Sequence, residues 1–228
     1  MPVSRRRFLI RGTAAGAAAL VGGVPWTGRL ARATAQTALT PDEALKRLLE
    51  GNKHFTAGRL TSVQEDLRRL KQKTAGKQEP FAAVLACADS RVPVEILFDQ
   101  SIGHVFVTRV AGNVATAEII GSLEYGVAVL GARIVMVLGH RACGAVSAAI
   151  SGKAVPGQIS TLFRYIRPAI DEAGSDVEAA IRANARIQAR LLKESSPVFA
   201  AAIGKGHLKV VAAYYDVATG AVTMLDQA

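Results

Sequence analysis

The chain has 228 residues and a formal charge of +10, and half of its residues are hydrophobic. This length fits one domain that can bury a sizeable core. The basic excess lies largely in residues 1–35, which hold six arginines and no acidic residue, so the remainder carries 22 basic against 18 acidic side chains. No nucleic-acid-binding motif accompanies this charge, which argues against a nucleic-acid partner.

The first 35 residues have the features of an export signal. Residues 4–9 read SRRRFL, which resembles a twin-arginine signal, and the apolar run over 12–24 is too short to span a membrane. Residues 33–35 supply an Ala-x-Ala cleavage site. We therefore predict a signal peptide over 1–35, and a single exported, periplasmic domain over 36–228 without stable membrane association. An uncleaved anchor or a disordered tail is the alternative.

Two helices are predicted to open the domain. Thr40 is an expected N-cap, and Glu43 three residues later completes a capping box. Gly51 is the expected stop of this helix, which places His54 in a loop. A second helix is expected to begin near Ser62.

Short apolar runs predict the strands of a parallel sheet, over residues 81–86, 105–110, 133–139 and 207–215. A short antiparallel strand is expected to close the sheet over 222–225. Helix patterns alternate with these runs, over 93–98, 116–130, 143–150 and from a capping box of Ser175 and Glu178 to just before Pro197. The alternation is typical of an α/β fold with a central, mostly parallel four-stranded sheet, an antiparallel edge strand and flanking helices.

Three side chains that bind metals lie at the predicted strand ends. Cys87 follows the first strand, His140 follows the third, and Cys143 comes three residues later. The carboxyl ends of strands are where open α/β sheets build their sites, and two thiolates with one imidazole match a catalytic zinc site that keeps an open position. The alternative is a Cys87–Cys143 disulfide in a non-catalytic α/β binding protein. The sequence alone does not exclude that bond, although a disulfide requires neither the histidine nor the charged residues nearby.

Two short motifs resemble the signature of the β-class carbonic anhydrases: Cys-x-Asp-Ser-Arg at residues 87–91 and His-x-x-Cys-Gly at residues 140–144. Segments at 91–100, 104–113 and 214–220 are also similar to that family. The resemblance implies the β-carbonic anhydrase fold and one Zn²⁺ per subunit. It also implies reversible hydration of CO2 to bicarbonate and a proton through a zinc-bound hydroxide. A hydrolase of COS or CS2 on the same scaffold is the enzymatic alternative.

Asp89 and Arg91 are the predicted catalytic pair. Two thiolates and a neutral imidazole leave zinc formally neutral, so its water is less acidic than in a site of three histidines. A positioned acceptor for that water is therefore valuable, and Asp89 can supply it if Arg91 keeps the carboxylate ionised. The resemblance implies that this pair orients the hydroxide or, in some members, lets the aspartate close the site onto the metal.

The resemblance also implies a substrate pocket. Gln78, Phe106 and Tyr125 match residues that line a pocket at the dimer interface of the plant-like members, and Gly144 would contribute its backbone amide. Read without the family, the two aromatic residues are ordinary core residues and Gln78 is a loop residue. The closed, bicarbonate-gated members use a tryptophan that the predicted mature chain lacks, so we expect an open site. The family also implies a homodimer or a dimer of dimers.

Overall fold

A five-stranded sheet organises the fold. This computed structural model describes residues 37–62 and 67–225, and its strands lie in the order β2-β1-β3-β4-β5. They are β1 (Ala82–Ala86), β2 (Val105–Arg109), β3 (Ile134–His140), β4 (Lys209–Tyr215) and β5 (Val222–Leu225). The first four are mutually parallel, and β5 pairs antiparallel with β4. The predicted fold class is confirmed.

The central strands are buried on both faces, because their side chains alternate between two apolar clusters. Leu85 and its β3 neighbour Val137 belong to one cluster, whereas Val84 and its neighbour Met136 belong to the other. Every residue of β1 and β3 is buried. Such strands lack a polar face, so both faces of the sheet require a cover of helices.

Helices supply that cover. They are α1 (Pro41–Thr56), α2 (Leu67–Thr74), α3 (Val94–Leu97), α4 (Ala117–Ala128), α5 (Gly144–Ser151), α6 (Phe163–Ala173), α7 (Val177–Ser195) and α8 (Pro197–Gly204), with a 3-10 helix over Ile159–Leu162. Helices α1 and α3 cover one face, through residues such as Leu48 and Leu97. Helices α4 to α8 cover the other, through residues such as Ile181 and Phe199. Among the described residues, no helix is long and apolar enough to cross a membrane.

The predicted stop of α1 at Gly51 is wrong. The capping box of Thr40 and Glu43 is present as expected, but the helix continues to Thr56. A Cβ atom at Gly51 would lie 1.7 Å from the carbonyl oxygen of Phe98. The glycine therefore allows the helix to approach the chain after α3, and His54 lies in the helix rather than in a loop.

The expected start of α7 also needs correction. Asp176, not Ser175, caps the helix, and its carboxylate accepts hydrogen bonds from the amides of Glu178 and Ala179, each at 3.0 Å. Glu178 is thus not part of a capping box. Helices α6 and α8 were not predicted. The predicted signal peptide and the residues just after Ser62 lie outside the described residues.

Candidate metal centre

The three predicted ligands meet at one edge of the sheet. Cys87 directly follows β1, and His140 is the last residue of the neighbouring parallel strand β3. Cys143 is the N-cap residue of α5, which begins after a three-residue connection from the strand. All three side chains are buried. Two adjacent strand ends and one helix start therefore bring together residues that are up to 56 positions apart in the chain.

The spacing of the ligand atoms fits a metal ion. The sulfurs of Cys87 and Cys143 are 4.0 Å apart, and both thiols are free. Together with the His140 ring nitrogen they lie within 4.8 Å of one another, the one such group among the described residues. Two thiolates on a tetrahedral zinc lie about 3.8 Å apart, from Zn–S bonds of about 2.3 Å. A disulfide would need about 2.05 Å.

The hydrogen bonding of His140 leaves one ring nitrogen for a metal. Its Nδ1 is 3.0 Å from the carbonyl oxygen of Arg141, and a carbonyl only accepts, so Nδ1 donates. Nε2 then carries the lone pair, and it is buried without a hydrogen-bond partner in the described part of the chain. A buried nitrogen of this kind is costly unless something pairs with it. A bound cation would satisfy it.

The pKa values of the two cysteines are shifted in opposite directions. Hydrogen bonding from the Cys143 thiol lowers the pKa of Cys87, and the amide of Gly112 donates to the Cys87 sulfur at 3.3 Å. The same thiol–thiol contact, together with burial, raises the pKa of Cys143. Binding of a cation by both sulfurs therefore requires the Cys143 thiol to lose its proton.

Asp89 and Arg91 form the predicted pair beside these ligands. The Arg91 side chain donates from Nε to Asp89 Oδ1 at 2.9 Å and from Nη2 to Oδ2 at 2.7 Å. These hydrogen bonds hold the pKa of Asp89 well below its usual range, against the opposing effect of burial. Asp89 Oδ2 also lies 3.9 Å from His140 Nε2. An ionised carboxylate thus faces the ligand atoms.

A second arginine, which sequence reasoning missed, supports the loop that carries these residues. Arg109 ends β2, and it donates from Nε to the carbonyl oxygen of Cys87 at 2.9 Å and from Nη2 to that of Asp89. The only signal in the sequence is its place at the end of a strand beside β1. Arg109 fixes the backbone between a ligand and the carboxylate.

The predicted pocket residues lie on different elements. Phe106 in β2 and Tyr125 in α4 have ring centroids 6.3 Å apart, and Tyr125 is 48% exposed. Gln78 is exposed in the segment before β1, and Gly144 begins α5 next to Cys143. Their assignment to a shared pocket stays a prediction, because that pocket involves a second subunit.

Comparisons with known proteins identify the family. A family model described as "Carbonic anhydrase" matches residues 82–222. The chain belongs to the carbonic anhydrase family. Carbonic anhydrase 2 of Mycobacterium tuberculosis is 34% identical over 194 residues, which cover 82% of this chain and 93% of the relative. As a carbonic anhydrase the chain is a carbonate dehydratase.

Solved structures assign the chain to the β class. The β-carbonic anhydrase of Coccomyxa, solved in complex with acetazolamide, matches with a TM-score of 0.65 and 28% identity, over 79% of this chain and 86% of that one. The β-carbonic anhydrase CafA of Aspergillus fumigatus matches with a TM-score of 0.66 and 26% identity, over 81% and 91%. The resemblance of the two signature motifs to the β class is confirmed.

Proposed function

We propose that the chain is a zinc-dependent carbonic anhydrase that hydrates CO2 reversibly to bicarbonate and a proton. One Zn²⁺ per subunit would be held by Cys87, His140 and Cys143. The observation that carries this proposal is the convergence of three buried ligand atoms, one of them an unpartnered imidazole nitrogen, beside an ionised carboxylate. The 4.0 Å separation of the two sulfurs is close to that of two zinc-bound thiolates and too long for a disulfide, which favours a metal over a structural disulfide.

An ion held by these three residues would supply one function, which is to lower the pKa of a coordinated water. Asp89 accepts a hydrogen bond from the reacting water and so orients its oxygen lone pair towards CO2. Arg91 binds both carboxylate oxygens and keeps Asp89 ionised and directed. Carbon dioxide and water give bicarbonate and one proton, and the proton passes to buffer.

The surroundings of the sulfurs support their thiolate forms. The amide of Gly112 donates to Cys87, and the amides of Ala145 and Val146 in the first turn of α5 favour the thiolate of Cys143. Fixed dipoles of this kind need no reorganisation when a cation binds. The chain thus stabilises negative charge where two thiolate ligands are needed.

The site is proposed to be of the open, plant-like type. Arg91 binds both oxygens of Asp89, which supports a carboxylate that is held by the arginine rather than bound to the metal as a fourth ligand. Phe106, Tyr125, Gln78 and the amide of Gly144 would line the CO2 pocket. The half-exposed ring of Tyr125, next to the sheet edge formed by β2, supports a homodimer, or a dimer of dimers, that covers this surface.

Export by the twin-arginine pathway is part of the proposal. It is supported by the SRRRFL and Ala-x-Ala sequences in residues 1–35. Export of an already folded protein would allow zinc to bind in the reducing cytoplasm, before the cysteines meet an oxidising compartment. Cell fractionation and N-terminal sequencing test this: we expect a periplasmic protein that begins at residue 36, and an uncleaved cytoplasmic chain would contradict it.

Zinc analysis combined with turnover tests the function. We expect about one zinc per chain, CO2 hydration that is lost on chelation and returns with Zn²⁺, and two free thiols in the denatured, metal-stripped protein. Turnover of COS without hydration of CO2 would show that COS, and not CO2, is the substrate. A single disulfide in place of the two thiols would contradict the metal centre.

A further inference from the structure

The short loop between two of the proposed ligands contains a strained residue. Ala142 lies between His140 and Cys143, and its φ angle is +55°. An alanine in this left-handed region is disfavoured, because its Cβ approaches the backbone. Such a conformation persists only where the surroundings hold it.

Charged side chains hold both peptide groups of Ala142. Its amide donates to Oε1 of Glu178 at 3.0 Å, and its carbonyl oxygen accepts a hydrogen bond from Nη2 of Arg91 at 3.4 Å. Hydrogen bonds to charged groups are stronger than those between neutral groups. The left-handed conformation is therefore fixed from α7 on one side and from the catalytic pair on the other.

Glu178 is itself held in place. Its backbone amide donates to the carboxylate of Asp176, which anchors the first turn of α7. The hydroxyl of Tyr214, in β4, donates to Oε2 of Glu178, and the guanidinium of Arg182 lies 3.7 Å from the centroid of the Tyr214 ring. Burial and the Glu178 carboxylate raise the pKa of Tyr214 to about 12, so the phenol remains a donor.

We propose that Glu178 is a positioning residue of the metal centre, which acts through Ala142. By accepting the Ala142 amide, it keeps the loop in the conformation that holds the His140 imidazole and the Cys143 sulfur at ligand spacing. The inference rests on the proposed zinc site and adds a residue outside the signature motifs. Because Arg91 donates to the carbonyl oxygen of the same residue, Glu178 also restrains the backbone that the Asp89–Arg91 pair contacts.

Zinc release is the direct readout. The Glu178→Ala variant, loaded with zinc, is mixed with an excess of a chromophoric chelator, and metal transfer is followed by absorbance. We expect release about 10-fold to 100-fold faster than in the wild type, because removal of a residue that supports a ligand usually lowers metal affinity by that factor. Glu178→Gln retains an acceptor oxygen for the Ala142 amide, and it is expected to release zinc almost as slowly as the wild type. Glu172→Ala, which breaks the Glu172–Arg186 ion pair between α6 and α7, is the matched control and should release zinc at the wild-type rate.

A glycine at position 142 separates the proposed role from general stabilisation of α7. Glycine adopts the left-handed region readily, so Ala142→Gly in the Glu178→Ala background should return zinc release towards the wild-type rate. If the double variant releases zinc as fast as Glu178→Ala alone, Glu178 does not act through Ala142 and the inference is overturned.

The two proposals fail in different ways. Wild-type protein that binds no zinc would refute the metal centre, whereas a zinc-loaded wild type and a Glu178→Ala variant with equal release rates would refute only the role of Glu178. If Glu178→Ala does not fold, Tyr214→Phe provides the same test. It removes the hydroxyl that orients the carboxylate, and release is expected to be several-fold faster. An unchanged rate in that variant would overturn the inference.

Discussion

Replacement of Asp89 with asparagine tests the catalytic pair with little change of shape. Asparagine can still accept the bonds that Arg91 donates to Oδ1, from its backbone amide and from Nε, each at 2.9 Å. The position of Oδ2 would then hold an NH2 group, 2.7 Å from Arg91 Nη2 and 3.9 Å from His140 Nε2. The atom that faces the ligands thus changes from an acceptor to a donor, while the metal ligands stay intact.

The expected loss is large because the variant loses both the acceptor that orients the reacting water and the negative charge that favours loss of the water's proton. General acid–base groups contribute about 10²-fold to 10⁴-fold, and we expect a fall of about 10³-fold in kcat/KM, or about 4 kcal/mol of transition-state stabilisation. Zinc content should stay at about one per chain, since Asp89 is not a proposed ligand.

The pH dependence adds a second test of the same variant. Arg91 holds the pKa of Asp89 below its usual range, so the wild-type carboxylate stays ionised wherever the enzyme is assayed. The ratio of wild-type kcat/KM to that of the asparagine variant should therefore be constant from about pH 6.5 to 9, well above the ordinary aspartate pKa of about 3.9.

Stopped-flow CO2 hydration with zinc analysis measures both effects. Asp42→Asn, which weakens an ion pair with Lys209 far from the ligands, is the control and should keep wild-type activity. Full activity of the Asp89 variant with zinc bound would refute the role of the carboxylate. A deficit that disappears at high pH would refute the claim that Asp89 acts in its ionised form.

Three further substitutions test the fold and the assembly. Gly51→Ala should lower the free energy of unfolding by about 3 kcal/mol in urea titrations, because its Cβ would meet the Phe98 carbonyl, whereas Gly121→Ala, in open space on α4, should be neutral or stabilising. Asp99→Asn should cost about 1–3 kcal/mol at pH 7, because buried Asp99 accepts several hydrogen bonds. Burial raises the pKa of Asp99, but the hydrogen bonds outweigh it and lower that pKa. The loss of stability in the variant should therefore become smaller as pH falls below about 4, and an equal loss at pH 3 would contradict this. Tyr125→Asp should shift the oligomer towards monomer by light scattering, and an unchanged mass would contradict the proposed interface.

The sheet and the ligand set could be predicted because they depend on local patterns. Buried parallel strands must be apolar on both faces, so each strand stands out as a short apolar run. The ends of parallel strands meet at one edge, and this rule places Cys87 near His140 without any knowledge of the loops. The capping box at Thr40 also depends only on residues close in sequence, and this prediction is confirmed.

Features that depend on distant contacts could not be predicted. Gly51 resembles a helix stop, and only the proximity of the Phe98 carbonyl shows why a glycine is required inside α1. Glu178 matches a capping box by spacing, yet its carboxylate contacts Ala142 and Tyr214, which are 36 residues away in opposite directions. Helix α6 contains Pro168 and follows a loop rich in glycine and proline, so its sequence gives weak helix signals.

The pH dependence of CO2 hydration by the zinc-loaded chain tests the central claim most directly. Two thiolates and an imidazole leave the metal formally neutral, so the rate should rise with pH through an apparent pKa above about 7. A protein shown to carry zinc that does not hydrate CO2 at any pH from about 6.5 to 9 would contradict the proposed function.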